Sequence, residues 1–161
     1  MRIVALADTH SRPLPRPLIE DMENSDLILH AGDFCEMDVY ARLKGIKEIR
    51  AVYGNMDSVA LRHLLPLQDV FECDGVKIAL AHGEGSPDMI IPRLAEIFKG
   101  QGVQVVVFGH SHVPCHERFD GVLFFNPGSP TDTIRSPYLS YGVIEVNAGK
   151  IKARIVKLGH Q

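Results

Sequence analysis

The sequence predicts an α/β fold in which two stacked mixed β-sheets are flanked by helices, an αββα sandwich, and three observations support it. Short apolar runs rich in β-branched residues recur along the whole chain and are too short to be helices. Segments with helical spacing separate the early runs, as is typical of βαβ units. Turn signals such as Asp-Gly separate the later runs and indicate β-hairpins.

The chain of 161 residues is expected to form a single domain over residues 1–161. Its first half reads as βαβαβ and its second half as mostly antiparallel. The predicted strands are 2–7, 26–30, 48–53, 70–73, 76–81, 103–108, 122–125, 138–146 and 151–156. The predicted helices are 15–23, 36–44 and 88–99, and the hairpin turns are 74–75, 120–121 and 147–149.

The composition excludes several classes of protein. A formal net charge of -3 and a pI of about 6.2 provide no basic surface that would attract nucleic acid or anionic membranes. The three cysteines form no CxxC pair, so neither a disulfide framework nor a thiolate zinc site is indicated. Asp8 and His10 interrupt the apolar start well before the length of a signal peptide core or a membrane span, and we therefore expect a cytoplasmic protein.

Side chains of the types that bind metals follow five of the predicted strands. Because the loops at the carboxyl edge of an α/β sheet converge while the strands stay rigid, we expect these side chains to meet. Each alone has an ordinary explanation, such as capping the next helix. Together they would leave two carboxylates and four imidazoles without partners, and bound divalent cations remove that cost. The residues are Asp8, His10, Asp33, Asn55, His82, His110 and His112.

The order of these residues resembles the signature of the calcineurin-like metallophosphoesterases and covers nearly the whole chain. The short length, the Gly-Asn-Met-Asp form of residues 54–57 and the Asn-Pro-Gly-Ser segment at 126–129 resemble the small bacterial and archaeal phosphodiesterase branch. The five blocks are Asp8-x-His10, Gly32-Asp33, Gly54-Asn55-x-Asp57, His82-Gly83 and Gly109-His110-Ser111-His112.

The resemblance implies a dinuclear metal centre that hydrolyses phosphoesters, above all phosphodiesters. A hydroxide that bridges the two metals would attack phosphorus in line. Imidazole and oxygen donors without thiolate suit Mn, Fe, Ni, Co or Zn, and manganese is the expected activating ion. The implied ligand sets share Asp33 as the bridge: Asp8, His10, Asp33 and His112 for one metal, and Asp33, Asn55, His82 and His110 for the other. The predicted catalytic residues are Asn55, Asp57 and His110.

One position departs from the wider family. Many relatives carry a histidine directly after the asparagine of the third block, where it resembles a general acid, and this chain has Met56. A thioether cannot donate a proton, and general acid catalysis is typically worth about 10²–10⁴ in rate. We therefore expect a modest phosphodiesterase that prefers good leaving groups.

Some residues keep two interpretations. Asp57 either orients a histidine or a leaving group from behind the site or caps a helix over residues 58–65. The 126–129 segment either presents backbone amides to a phosphate or is only a turn. We expect His30 to be buried and hydrogen-bonded. We expect His63, His116 and His160 at the surface. Arg12 and Arg135 lie in loops, where they either contact the substrate or simply face solvent.

Two other functions stay open from the sequence. One is a non-catalytic scaffold resembling the retromer subunit with a phosphoesterase-like fold; Met56 favours it and the complete ligand set opposes it. The other is a hydrolase of cyclic nucleotides, dinucleotides or pyrophosphate linkages, but the chain has no tryptophan and no evident aromatic platform near the five blocks. The expected partner is a small phosphodiester or nucleotide, and the sequence leaves self-association into a homo-oligomer open.

Overall fold

The computed structural model describes residues 1–159, and the fold contains ten strands and four helices within that range. Strands and helices alternate up to α3, after which hairpins dominate. The elements are β1 (Arg2–Leu6), α1 (Arg16–Glu23), β2 (Leu27–His30), α2 (Met37–Ile46), β3 (Ile49–Ala51), α3 (Val59–Leu64), β4 (Gln68–Cys73), β5 (Val76–Ala81), α4 (Pro87–Phe98), β6 (Val105–Val107), β7 (Cys115–Phe119), β8 (Val122–Asn126), β9 (Ser140–Asn147) and β10 (Lys150–Lys157).

The strands form two five-stranded mixed sheets, as predicted. The first has the order β10-β9-β1-β2-β3, and the second has the order β4-β5-β6-β8-β7. In the first sheet, β1, β2 and β3 run parallel, and β9 is antiparallel to both β1 and β10. In the second, β5, β6 and β8 run parallel between the antiparallel edge strands β4 and β7.

The central strands are buried on both faces, which explains why their sequences are almost continuously apolar. In β1, Ile3 and Ala5 face the layer between the sheets, whereas Val4 and Leu6 face the helices on the outer side. The helices α1 and α2 cover the first sheet and α4 covers the second. Burying one large aliphatic side chain contributes about 1.5–3 kcal/mol. The three apolar layers, one between the sheets and one under the helices on each outer side, therefore hold the strand ends in place.

The predicted strands, helices and hairpin turns are all found, with ends that differ by a few residues. Strand β7 was not predicted, because Cys115 is its only half-buried residue and the other four are exposed. The expectation of a mostly antiparallel second half holds for the hairpins, but β6 runs parallel to both of its neighbours. No helix of residues 1–159 has the length and apolarity needed to cross a bilayer. The predicted surface residue His160 lies outside the described range, whereas His63 and His116 are exposed as expected.

His30 is a fully buried side chain that links the ends of β1 and β2. The backbone N–H of Gly32 donates to His30 Nδ1 at 3.2 Å, so this nitrogen is an acceptor and Nε2 carries the proton. That Nε2–H lies 3.0 Å from Thr9 Oγ1, and the ring stacks on Phe34 with centroids 3.5 Å apart. Burial holds the pKa of His30 well below its ordinary value and keeps the ring neutral. The prediction of a buried, hydrogen-bonded histidine is confirmed.

Replacing His30 tests how much these contacts stabilise the fold. His30→Leu keeps an apolar side chain of similar bulk but leaves the Gly32 N–H and the Thr9 hydroxyl without those partners. We expect the free energy of unfolding to fall by about 2–4 kcal/mol in urea with EDTA present. The matched control, His116→Leu on the exposed face of β7, should change it by less than about 0.5 kcal/mol. Equal effects of the two substitutions would contradict this role for His30.

Candidate metal centre

The seven predicted ligands lie together where the carboxyl ends of the two sheets face each other. The first sheet supplies Asp8 and His10 after β1, Asp33 after β2 and Asn55 after β3. The second sheet supplies His82 after β5, and His110 and His112 after β6. Each side chain therefore follows a strand that is fixed by core packing, and the site spans the gap between the sheets.

One compact group consists of Asp8, His10 and His112. One ligand atom from each lies within 4.8 Å of those of the other two. His112 Nε2 is 3.5 Å from Asp8 Oδ1, and His10 Nε2 is 3.2 Å from His112 Nε2. On its far side, His10 Nδ1 lies 3.3 Å from the Cys35 sulfur, so Nε2 is the nitrogen that faces the group.

A second group surrounds Asp33 and shares Asp8 with the first. Asp8, Asp33 and His82 again place one ligand atom each within 4.8 Å of one another. Asp33 Oδ2 is 3.4 Å from His82 Nε2 and 3.9 Å from His10 Nε2, so this oxygen lies between the two groups. Its other oxygen, Oδ1, accepts the backbone N–H of Met56 at 2.8 Å. One carboxylate oxygen of Asp33 is thus fixed by the backbone and the other faces both sets of donors.

Asn55 and His110 complete the second group on its exposed side. Asn55 Oδ1 is 3.1 Å from His82 Nε2 and 3.0 Å from His110 Nδ1. His110 Nε2 lies 3.2 Å from the carbonyl oxygen of Gly85. Because a carbonyl only accepts, Nε2 carries the proton and Nδ1 faces Asn55 as a lone pair. The contact between Nδ1 and Oδ1 therefore joins two acceptors, which suits a shared cation and not a hydrogen bond.

The remaining imidazoles also point their ligating nitrogen inward. His82 Nδ1–H donates to the carbonyl oxygen of Ala31 at 2.7 Å, and His112 Nδ1 lies 2.6 Å from Asp132 Oδ2. Such outer partners fix the orientation of a metal-binding histidine and raise its basicity. Burial lowers the pKa of His10, and likewise the pKa values of His110 and His112, which keeps these rings neutral and able to bind a metal.

The carboxylate of Asp8 is the strongest sign that the cluster suits a cation. It is completely buried, and neither oxygen has a hydrogen-bond partner within residues 1–159. Burial raises the pKa of Asp8 from 3.8 to about 8, and the neighbouring Asp33 adds to the shift. Burial lowers the pKa of His82, but the neighbouring carboxylates of Asp33 and Asp8 outweigh it, so the net shift is upward. A divalent cation bound here would compete with those protons and stabilise both carboxylates.

The backbone adopts uncommon conformations at most of these positions. Five of the seven candidate ligands have positive φ: Asp8 at 55°, His10 at 46°, Asp33 at 61°, His110 at 68° and His112 at 60°. Such conformations are rare outside glycine and concentrate at functional sites. Gly109 allows the close approach of two loops, since a Cβ there would lie 2.8 Å from Ala7 Cβ and 3.0 Å from Asp8 Oδ2. The site therefore depends on the strand ends being held tightly together.

Asp57 holds two of the ligand loops through the backbone. Its Oδ2 accepts the N–H groups of Asp33 at 3.0 Å and Gly54 at 2.7 Å, and its Oδ1 accepts that of Cys35 at 2.7 Å. The interpretation of Asp57 as a helix cap is wrong, because the residue at the N-cap of α3 is Ser58. A direct catalytic role for Asp57 has no supporting contact, since both of its oxygens bind backbone amides.

The loop between β8 and β9 supports the site through contacts that the sequence did not predict. Ser129 Oγ donates to the carbonyl of Asp8 at 2.7 Å, and Asn126 Nδ2 donates to that of Gly109 at 2.9 Å. The 126–129 segment is buried, so its contacts support a structural role and not the presentation of amides to a phosphate. Asp132, whose carboxylate meets His112, follows no strand and belongs to no motif that would have drawn attention to it.

The two loop arginines lie near the first group. Arg12 Nη1 donates to the carbonyl oxygen of Thr131 at 3.0 Å, and Arg135 is exposed. Burial is the largest cause that lowers the pKa of His10, and both positive charges lower it further. The nearby carboxylates of Asp33 and Asp132 oppose this shift in part. Contact between either arginine and a substrate stays a prediction.

Comparison with known proteins agrees with this arrangement. The family model of the calcineurin-like phosphoesterase superfamily domain matches residues 1–149. The chain is 32% identical over 167 aligned residues to a probable metallophosphoesterase of Methanocaldococcus jannaschii, an alignment that covers 98% of this chain and 82% of the relative. It is 29% identical over 143 residues to a phosphodiesterase of the same organism, covering 80% of this chain and 83% of the relative.

The fold is also similar to that of a more distant protein. Vps29 of Entamoeba histolytica, solved in complex with Zn²⁺, superimposes with a TM-score of 0.76 at 22% identity, covering 98% of this chain and 99% of that one. At that identity the likeness concerns the fold alone. The family match over most of the chain and the candidate metal-binding clusters of Asp and His lead to one conclusion: this protein belongs to the calcineurin-like phosphoesterase superfamily.

Proposed function

We propose that this protein is a dinuclear metal-dependent phosphodiesterase. The observation that carries the proposal is the arrangement of imidazoles around Asp8. The outer ring nitrogens of His82 and His110 donate to backbone carbonyls, so the other ring nitrogens face inward, into the cluster that contains the buried Asp8 carboxylate, which has no hydrogen-bond partner in the part of the chain described. Carboxylate, amide and imidazole donors without thiolate match the ions that activate water in hydrolases. The relative named as a phosphodiesterase supports the same reaction class.

The two metals would be held by overlapping sets of ligands. Asp33 is the proposed bridge, because its Oδ2 faces donors of both groups while Oδ1 is bound to the Met56 N–H. Asp8 belongs to both compact groups as well, which makes it the nearest competitor for that role. The proposed sets are Asp8, His10, Asp33 and His112 for the first metal, and Asp33, Asn55, His82 and His110 for the second.

Two bound divalent cations would supply a hydroxide from a shared water near neutral pH and neutralise charge on the phosphoryl oxygens. The chain's own contribution is orientation. Carbonyl and carboxylate partners hold the outer nitrogens of the histidines, and Asp57 ties the Asp33 and Gly54 loops together. Asn55 is exposed and stands at the open side, where a phosphate would arrive. We propose manganese as the activating ion.

Removing the bridging carboxylate tests the two-metal arrangement. Asp33→Asn keeps an acceptor for the Met56 N–H but loses the negative charge between the two groups. We expect metal content to fall from about two Mn²⁺ per chain to one or fewer, and kcat/KM for bis(4-nitrophenyl) phosphate to fall at least about 10³-fold. Metal analysis and a hydrolysis screen under Mn, Ni, Zn and Mg measure both quantities.

The Asp8→Asn variant and the wild-type protein complete that experiment. If Asp8→Asn empties both positions while Asp33→Asn leaves two metals bound, Asp8 and not Asp33 is the bridge. A wild-type protein that binds no metal and hydrolyses no ester would refute the enzyme and favour a non-catalytic scaffold, the alternative that the sequence leaves open.

Asp132 is expected to act through His112. An asparagine at this position would present an amide N–H to His112 Nδ1, or an oxygen with less charge, and so weaken the preference for the inward-facing lone pair on Nε2. We expect Asp132→Asn to lower Mn²⁺ affinity about 10–100-fold, as measured by calorimetric titration of metal-free protein. The control is Asp120→Asn in the exposed β7–β8 turn, and its affinity should match that of the wild type. If both variants bind Mn²⁺ with the same affinity, Asp132 does not act on the site through His112.

Met56 is expected to limit the range of leaving groups. Its side chain is 56% exposed next to Asn55, and only its backbone N–H takes part in the site. The wild type should therefore hydrolyse an aryl phosphodiester with a higher kcat/KM than the matching monoester or an alkyl diester. Met56→His should raise kcat/KM for the alkyl diester by up to about 10²-fold, whereas Met56→Gln should not. A strong preference of the wild type for the monoester would contradict this specificity.

A further inference from the structure

A cavity of about 310 Å³ opens directly beside the second group of ligands. Asn55 and His82 line its inner end, which places it against the atoms proposed to hold the second metal. The rest of its wall comes from the end of α3, the start of β4, the loop after β5 and one face of α4. The volume is at the lower end of the roughly 300–1,000 Å³ typical of ligand pockets, so it suits a group about the size of one ring.

One wall of this cavity is apolar and open to solvent. Ile90, Leu94 and Ile97 line it at helical spacing along α4, and Leu67 closes the opposite side. Leu67 is 57% exposed and Ile97 is 44% exposed, although both are large hydrophobic side chains. Apolar residues left accessible around a concave site next to polar groups are characteristic of ligand-binding surfaces.

The charged residues of the cavity are two arginines and one glutamate, namely Arg62, Arg93 and Glu84. Arg62 Nε donates to the carbonyl oxygen of Asp57 at 2.9 Å, and its Nη2 contacts the carbonyl oxygen of Asn55. Arg93 Nη1 donates to the carbonyl oxygen of Glu84 at 3.3 Å. These backbone contacts orient both guanidinium groups without neutralising them.

Neither arginine pairs with a carboxylate within residues 1–159. Elsewhere in the same range, Arg2, Arg16 and Arg50 each form an ion pair with an aspartate or glutamate, whereas Arg12, Arg42, Arg118, Arg135 and Arg154 form none, so what sets Arg62 and Arg93 apart is their place at the cavity. Guanidinium groups bind carboxylates and phosphates strongly, through planar, charge-assisted hydrogen bonds. Two oriented and unneutralised guanidinium groups at the rim of an apolar cavity therefore favour an anion attached to an apolar body.

We propose that this cavity binds the ester group that leaves during phosphodiester hydrolysis, and that it selects a compact, largely apolar group carrying a second oxyanion. This assignment rests on the proposed function, because it assumes that the scissile phosphate lies at Asn55 and His82. The apolar body lies against Ile97 and Leu67, and the second oxyanion reaches Arg93. A carboxylate and a phosphate monoester both have this chemistry, and the experiment separates them.

The test compares three methyl aryl phosphodiesters that differ only in the para group: carboxylate, neutral carboxamide and phosphonate. We expect Arg93→Gln to lower the ratio of kcat/KM for carboxylate over carboxamide about tenfold, the effect of losing one charge-assisted hydrogen bond. Taking the ratio within each protein cancels differences in metal loading, and comparing that ratio between the variant and the wild type cancels differences in leaving-group acidity. A larger fall for the phosphonate than for the carboxylate identifies a phosphate as the preferred second anion, and the reverse identifies a carboxylate.

The chain supplies a matched control for each side of the cavity. Arg118, which also donates only to a backbone carbonyl, lies on the β7–β8 hairpin, and Arg118→Gln should leave the ratio unchanged. Met89 on α4 is 43% exposed but does not line the cavity, so Ile97→Asn should raise KM for all three esters while Met89→Asn should not.

The outcomes distinguish this inference from the proposed function. Hydrolysis of all three esters with a ratio that Arg93→Gln does not alter would overturn the cavity assignment and leave the phosphodiesterase intact. If no ester is hydrolysed, the proposed function fails, and the same three compounds are then titrated as ligands. If the wild-type protein and Arg93→Gln have equal affinities for the carboxylate, and equal affinities for the carboxamide, the cavity assignment is overturned in that case as well.

Discussion

The structure depends on one electrostatic constraint: lone pairs from five strand ends must be held a few ångströms apart in a gap between two sheets. Asp8 contributes a completely buried carboxylate, and His110 Nδ1 faces Asn55 Oδ1 at 3.0 Å although both are acceptors. Neither arrangement is favourable by itself, because ionising a buried carboxyl group and opposing two lone pairs both raise the free energy of the fold. The free energy that holds these groups in place must come from packing elsewhere. A bound cation would attract the same lone pairs and the carboxylate, and so make their closeness favourable.

The three apolar layers and the loop network supply that support. Strands buried on both faces leave little freedom at their ends, which allows the loops to adopt the positive φ values seen at Asp8, Asp33 and His110. The loops are then tied to one another through main-chain groups. Asp57 collects three N–H donors from the loops after β2 and β3, while Ser129 and Asn126 reach the carbonyls of Asp8 and Gly109. The imidazoles are oriented in the same way, by acceptors on their outer side. The ligands are therefore fixed by contacts that involve neither metal nor substrate.

This division explains what the sequence could and could not predict. The candidate ligands were found because each lies within five residues of the end of a strand, so that strand and ligand are close in the chain. The supporting contacts were not predicted because the partners are distant in the chain. The sequence drew attention to Asp57 but not to its bonds with the amides of residues 33 and 35, and it gave no sign of Asp132, which lies against His112. No local pattern encodes such pairs. The same holds for β7, whose exposed side chains give no alternating signal, and for β6, whose parallel pairing depends on the path of α4 and not on a turn.

The two sides of the metal centre differ in a way that follows from the topology. On the side of Asp8 and His112, the β8–β9 loop closes over the ligands, and Ser129, Asp132 and Ser136 are buried against them. On the side of Asn55 and His110, Asn55 is exposed, and a cavity lined by residues of β4 and α4 opens beside it. Under the proposed function, an ester that approaches past Asn55 and His110 would have the cavity wall as the neighbour of the group beyond its phosphorus. The β8–β9 side thus supports the ligand geometry, while the side with the cavity is where the proposed substrates would be distinguished.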